Sequence, residues 1–293
     1  MARVLLLGAS GRLGSALASL LEHCETPSSA DLCLRNTDAL ARRIDELEPE
    51  VLINCAGMTD VDGCDRDPQT ADELNGFAPG RLARRCASAG VTLVHISTDY
   101  VFSGHPEHNH LEEDKLDPVN RYGQSKARGE GLVLDSGAKS LVARVQWLFG
   151  GAKSDFTRFV RGRVLAGQPV PVVSKQIGTP SFTADLALQL QALIHLEREG
   201  ILHLANGGEA SRMQQAQHVA EQLGVKARFK PVTWQDLGAS APRPERSVLD
   251  TTRLRALLAF PQQKEPDDPT GLRAWDGAQA DYLKSLNEEN HRG

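Results

Sequence analysis

The run Val4-Leu-Leu-Leu-Gly-Ala-Ser-Gly-Arg-Leu-Gly14 constrains the fold more than any other stretch of the chain. It sets three glycines, Gly8, Gly11 and Gly14, directly after an apolar strand and at the head of an amphipathic segment. A residue without a Cβ permits a sharp turn and lets backbone approach a bound phosphate. A helix that starts there turns unpaired N–H groups and partial positive charge toward the same point. Glycines also close ordinary turns; the strand before and the helix after are what favour a phosphate loop.

The rest of the first half repeats the same alternation of short β-branched or leucine-rich runs with amphipathic stretches, the pattern of a parallel sheet wrapped by helices. Strands are predicted at Arg3–Gly8, Val51–Cys55, Val91–Ser97 and Leu141–Gln146, with Ile201–Leu204 in the second half. Helices are predicted at Leu13–Leu21, Asp38–Leu47, Thr70–Ala89 (one long helix) and Arg121–Leu134. Those at Asp155–Ala166, Thr183–His195, Arg212–Leu223 and Thr270–Leu286 follow in the less regular second half. Strands as apolar as Val51–Asn54 suit a sheet covered on both faces. The polar segment Pro261–Pro269 reads as a linker within the fold, and Ala239–Arg246 as a proline-punctuated loop.

Composition excludes several classes. Apolar residues make up 40% and charged residues 24% of 293, an ordinary globular balance. With 33 Lys and Arg against 38 Asp and Glu, no overall positive field draws in nucleic acid. Apolar runs stay far below the roughly 20 residues of a membrane helix, and no export signal is read at the start. Five cysteines, an odd number with no C-x-x-C pair, read as reduced thiols in a cytoplasmic protein, Cys55 as a packed core residue. His105, His108 and His110 lie in a polar stretch and read as a solvated loop, not a metal site; no metal is expected.

The chemistry is carried by Ser97–Lys126. The strand Val91–Ser97 ends in Ser97-Thr98-Asp99-Tyr100, and open parallel sheets gather ligands at strand carboxyl ends. Tyr122-Gly-Gln-Ser-Lys126 puts a phenol and an ammonium about one helical turn apart, on one face. A tyrosine is a poor acid at neutral pH, and a neighbouring cation moves its pKa toward the working range. Thr98 could hold a carbonyl oxygen near that phenol, and the glycine loop offers a place for a hydride donor. A lone Y-x-x-x-K is common; the glycine loop and the strand end give it weight.

Together these segments resemble the dTDP-4-dehydrorhamnose reductase family, extended short-chain dehydrogenase/reductases. The matching residues are the loop Gly8–Gly14, with its G-x-x-G-x-x-G spacing, Asn54–Asp62, Ser97-Thr-Asp-Tyr-Val-Phe-Ser-Gly104 and Tyr122–Glu130. Arg144–Gly150, Gln176–Pro180, Gly200–Leu204 and Arg243–Asp250 follow in the family's order. The resemblance implies an α/β fold, a Rossmann-type doubly wound parallel sheet with a smaller C-terminal substrate-binding part. The dinucleotide-binding domain would span residues 1–148, with 180–204 returning to it, and the substrate-binding part 149–179 and 205–293. It further implies NAD(P)H-dependent reduction of the C4 keto group of a nucleotide-linked 4-keto-6-deoxysugar, dTDP-4-dehydrorhamnose to dTDP-L-rhamnose, for surface polysaccharide.

Carried over residue by residue, Tyr122 would donate the proton, Lys126 would bind the nicotinamide ribose and tune Tyr122, and Thr98 would orient the ketone. Gly8, Gly11, Arg12, Leu13 and Gly14 would line the pyrophosphate, and Gly57, Met58 and Thr59 the cofactor, with Asn75 supporting the strand end. Thr98, Asp99 and Trp147 would touch the sugar nucleotide, and Arg243 and Arg246 its diphosphate. The partners implied are a nucleotide sugar and a second copy of the chain as a homodimer, with neither nucleic acid nor membrane.

The sequence also departs from the family. Between Gly14 and Asn54 no clear apolar second strand is read, and the family's Asp-Ile is Cys33-Leu34. Asp31 is the nearest acidic candidate for the adenosine ribose, whereas Arg12 and Arg35 suit a 2′-phosphate, so the expected cofactor is NADPH with NADH as the alternative. The family's R-T-S-W reads Arg144-Val-Gln-Trp147, and a later Ser-Trp reads Ser211-Arg212. Two alternatives therefore stand: a reductase of a different 4-keto-deoxyhexose, and a non-catalytic cofactor-binding regulatory subunit.

Overall fold

The computed structural model describes residues 2–30, 32–104, 108–151, 153–258 and 272–292, without the side chains of 289–292. Asp31, His105 and the Pro261–Pro269 linker lie outside the described residues. Six parallel strands form the main sheet: β1 (Val4–Leu7), β2 (Cys24–Glu25), β3 (Val51–Asn54), β4 (Thr92–Thr98), β5 (Ser140–Val145) and the edge strand Gly200–Leu204. Their spatial order is Gly200–Leu204, β5, β4, β3, β1, β2. The chain thus leaves β1 toward one edge and returns through β3 toward the other. The crevice between the carboxyl ends of β1 and β3 is the switch point where doubly wound sheets bind ligands.

Period two explains why both faces are covered. Val4, Leu6, Ile53, Val94, Leu141 and Ala143 pack on one side with the helices Arg12–Leu20 and Thr183–His195. Leu5, Leu7, Leu52, Leu93 and Val142 pack on the other with Thr37–Leu47 and Ala78–Ala89. A separate apolar cluster, Val160, Val164, Val170, Val172, Ala216, Val219, Ala220 and Leu283, sits under Phe156–Leu165, Arg212–Gln222 and the last helix, Trp275–Arg292. Among the described residues, no helix is long and apolar enough to cross a membrane.

Three expectations need correction. A second strand exists: Cys24 and Glu25 pair with Val4 and Leu5, and being two residues long on an edge it needs no apolar run. The long helix over 70–89 is broken into Pro68–Asp72, a π-helical turn Glu73–Phe77, and Ala78–Ala89. His110 is not solvated; it is buried, stacked on Phe102 at 4.0 Å between centroids, and desolvation lowers its pKa to about 4.

Candidate active site

The glycine loop lies at the switch point. Gly8 has φ +80°, and a Cβ there would stand 2.7 Å from the Ala56 amide nitrogen of the loop after β3. Only glycine combines that turn with that approach. A side chain at Gly14 would run into the Gly8 carbonyl oxygen. No side chain caps the helix Arg12–Leu20, which leaves the N–H groups of Arg12, Leu13 and Gly14 free to face an anion. The Leu13 side chain itself belongs to the core, so its contribution to a ligand is its backbone. These observations fit a dinucleotide pyrophosphate. Arg12 reaches across to the carbonyl of Ser154 through Nε at 3.1 Å, while Arg35 is exposed.

The neighbouring wall is the loop after β3. Asn54 caps its own turn by accepting from the Ala56 N–H at 3.1 Å. Gly57 and Thr59 are exposed and Met58 half-buried, so this wall is open to a ligand. Its backbone is fixed by Asn75, whose Oδ1 accepts from Met58 N at 2.8 Å and whose Nδ2 donates to Met58 O at 2.9 Å. Asn75 Nδ2 also donates to Ser125 Oγ at 3.0 Å, which ties the loop to the helix that carries Tyr122 and Lys126. Asn75 sits in the π-helical turn, a local irregularity that recurs at functional sites.

That helix, Arg121–Leu134, starts at Asn120, whose side-chain oxygen accepts from Gly123 N at 2.8 Å. Gly123 lies so close to the Tyr100 carbonyl that no Cβ fits between them. Tyr122 is thereby set against the end of β4: its ring meets Tyr100 edge-on at 5.5 Å, and its phenol lies beside the Thr98 hydroxyl. Burial raises the Tyr122 pKa, and the neighbouring Thr98 hydroxyl opposes it only in part. Lys126 is buried, donates to the Ile96 carbonyl, and is lowered by desolvation to about 8 despite the attraction of Glu130. The fall that a neighbouring lysine would bring to the phenol is not seen: Lys126 is not among the groups acting on Tyr122, and burial raises the phenol's pKa.

Behind these groups lies a buried polar layer that the sequence reading missed. Glu130 accepts from Arg144 at 2.7–3.2 Å and from the Ser97 hydroxyl, with Arg144 and Glu130 each about 1% exposed. Asp99 is 2% exposed, and its carboxyl is taken up by Thr98, Ser247 and Gln146 rather than by solvent. Gln146, noted only as a departure, is the hub of that layer.

Trp147 is buried at φ +42°, with the Arg212 guanidinium 3.6 Å above its ring. Arg212 is the other residue that sequence reasoning left without a role; the Ser211-Arg212 departure was its signal. The two arginines expected at a diphosphate are already engaged. Arg243 forms a bidentate pair with Asp62 at 2.9 and 2.6 Å, and this pairing holds the Asp62 carboxyl well below the usual range. Arg246 binds Glu209 at 3.1 and 2.9 Å and Asn109 at 2.7 Å. No group of acidic, His and Cys side chains among the described residues could hold a metal.

The profile of the RmlD substrate binding domain matches residues 2–266. The chain belongs to the RmlD family, that of the dTDP-4-dehydrorhamnose reductases. It is 36% identical over 303 residues to a dTDP-4-dehydrorhamnose reductase of Mycobacterium tuberculosis, covering 96% of this chain and 92% of that one. It is 32% identical over 253 residues to a dTDP-4-keto-6-deoxy-D-glucose reductase of Streptomyces niveus, covering 84% and 88%. Among solved structures, it is similar to the Bacillus anthracis dTDP-4-dehydrorhamnose reductase in complex with NADP. That match has a TM-score of 0.88 at 27% identity and covers 97% of this chain and 99% of that one. Within the RmlD family, the glycine loop, the STDY strand end and the YGQSK helix of this chain meet at the same sheet end, as the sequence implies.

Proposed function

We propose that the chain reduces the C4 keto group of a dTDP-linked 4-keto-6-deoxysugar with NADPH, dTDP-4-dehydrorhamnose being the first candidate. What supports this most is the meeting of three groups at the end of β4: the Tyr122 phenol beside the Thr98 hydroxyl, with Lys126 one turn behind. The relatives named for this activity and the NADP held by the Bacillus anthracis protein add to it. Among the described residues, the Arg12 guanidinium meets a carbonyl and no carboxylate, which leaves its charge for a 2′-phosphate.

When bound, NADPH supplies the hydride to the keto carbon. The pyrophosphate would rest on Gly8, Gly11 and the helix N-terminus at Arg12–Gly14, with Gly57, Met58 and Thr59 along the nucleotide. Tyr122, kept protonated by its surroundings, gives its proton to the carbonyl oxygen as charge gathers there. The Lys126 ammonium then stabilises the phenolate, and Thr98 holds the same oxygen. Trp147 would flank the sugar. Arg243 and Arg246 would reach the diphosphate only by exchanging their present carboxylate partners. We place the cofactor domain at 1–148 with 180–204, the substrate part at 149–179 and 205–293, and the working form as a homodimer in the cytoplasm.

One observation favours a second sugar: Arg212 on Trp147 changes the wall where the hexose would lie. The test is NADPH oxidation with dTDP-4-dehydrorhamnose and with dTDP-4-keto-6-deoxyglucose side by side. Turnover of the first is expected. Preference for the second moves the assignment to that sugar. No turnover of either, together with tight binding to another enzyme, would replace the reductase by the regulatory subunit.

A further inference from the structure

Arg212 opens the helix Arg212–Gln222. Its backbone is pinned: Ala210 and Ser211 pair with Gly178 and Ile177, and the Arg212 N–H donates to the Gln176 carbonyl at 3.3 Å. Its guanidinium lies 3.6 Å from the centre of the Trp147 ring and 5.0 Å from that of Phe156. The indole is equally fixed, since a Cβ on Gly178 would stand 2.6 Å from it. Trp147 comes two residues after Val145, which pairs with Thr98 across β5 and β4. The cation therefore sits at the sheet end that carries Thr98 and Tyr122.

Arg243 has Asp62 and Arg246 has Glu209, but Arg212 has no carboxylate partner among the described residues. Its Nη1 donates to Gln215 Oε1 at 3.0 Å, and its other guanidinium N–H groups make no hydrogen bond among the described residues. The carboxyl that acts on it from a distance, Asp99, is already taken up by Ser247, Gln146 and Thr98. Two residues in contact with Arg212 add to the unused donors. Trp147 Nε1 and Gln215 Nε2 are buried N–H groups with no partner among the described residues. Gln215 is turned this way because its Oε1 takes the guanidinium. A half-buried cation flanked by unpaired donors costs free energy that an acceptor-rich anion offsets. Desolvation lowers the Arg212 pKa to about 10, which still leaves it charged at neutral pH.

A nucleotide-linked keto sugar carries one anionic group, the diphosphate at C1, across the ring from the C4 ketone. The residue that holds it belongs one sugar ring away from Thr98. A guanidinium stacked on an aromatic ring keeps its edge free, and that edge pairs with two phosphate oxygens at once. We infer that Arg212 binds the diphosphate of the nucleotide sugar, while Arg243 and Arg246 stay on Asp62 and Glu209. This rests on the reductase reading above for the class of ligand.

The test is calorimetric titration of dTDP and of thymidine into wild type, Arg212→Gln and Arg212→Trp, each with NADPH already bound so that the glycine loop is occupied. Arg212→Trp restores the family's Ser-Trp and keeps a flat group on Trp147 without the charge. Both variants are expected to lose about tenfold or more in dTDP affinity and to keep the thymidine affinity of wild type. Added salt should weaken dTDP binding less steeply in the variants than in wild type. In turnover, Arg212→Gln should raise KM for the keto sugar nucleotide by about tenfold or more, with kcat changed less. Wild-type dTDP affinity in either folded variant overturns the inference, and so does an equal loss of dTDP and thymidine, which would make Arg212 a support for the shape of the site. An Arg212-dependent dTDP affinity, with no turnover of any keto sugar by wild type, upholds the inference and counts against the reductase reading instead.

Discussion

Asn75 grips Met58 by both ends of its peptide, accepting from its N–H and donating to its carbonyl at 2.8 and 2.9 Å. The same amide reaches Ser125 on the Tyr122 helix, so one side chain sets the distance between the cofactor wall and the acid. Asn75→Ala leaves these buried groups unpaired and should cost about 2–3 kcal/mol in urea unfolding. It should also weaken NADPH binding, measured by fluorescence titration. Asn75→Ala with unaltered NADPH affinity would detach this loop from the cofactor.

Gly8 cannot carry a side chain without pushing the Ala56 backbone away. Gly8→Ala should lower NADPH affinity by about tenfold or more, with a stability cost of about 1–3 kcal/mol for a left-handed alanine under strain. Calorimetric titration of NADPH into the folded variant gives the check.

Lys126 is a cation whose folded pKa, about 8, lies below the ordinary 10.5. Holding it charged costs stability in full below pH 8, and the cost is relieved as pH climbs toward 10.5, because the unfolded chain there binds the extra proton. Lys126→Met should therefore be more stable than wild type at pH 7 by about 1–2 kcal/mol, after the loss of its Ile96 hydrogen bond. That margin should shrink in base. Activity moves the other way: it should drop about 10²-fold on substitution, and in wild type should fall as pH passes about 8. Thermal melts and pH–rate profiles on both proteins test the pair of signs.

The Glu130–Arg144 pair, wholly buried and linked to Ser97, makes a third structural demand. Glu130→Gln strands the guanidinium and should destabilise by about 3–5 kcal/mol, whereas Glu130→Met with Arg144→Met should recover most of that. Denaturant midpoints at constant m decide it.

Much of this was legible in the sequence for physical reasons. Gly8, Gly11 and Gly14 mark a close approach that few residues permit, and the four-residue spacing of Tyr122 and Lys126 puts them one turn apart on a helix whose buried face, Gly123, Ser125, Gly129 and Glu130, is small or polar. Strands such as Val51–Asn54 announce burial on both faces. The second strand was not legible: at Cys24–Glu25 two residues suffice to pair with β1, and no pattern forms in two residues. The break at Glu73–Phe77 was hidden because a π turn keeps helical composition. Gln146, Ser247 and Asp99 lie far apart in sequence, and only tertiary packing joins them. His110 looked solvated because its neighbours are polar, while its partner Phe102 lies on the preceding segment.

The account turns on Tyr122 as the proton donor, and single-turnover kinetics of Tyr122→Phe with bound NADPH and dTDP-4-dehydrorhamnose test that most directly. Loss of the ketone hydrogen-bond donor should slow NADPH consumption about 10²–10⁴-fold while NADPH affinity and the melting temperature hold. A Tyr122→Phe protein that reduces the sugar at the wild-type rate would contradict it.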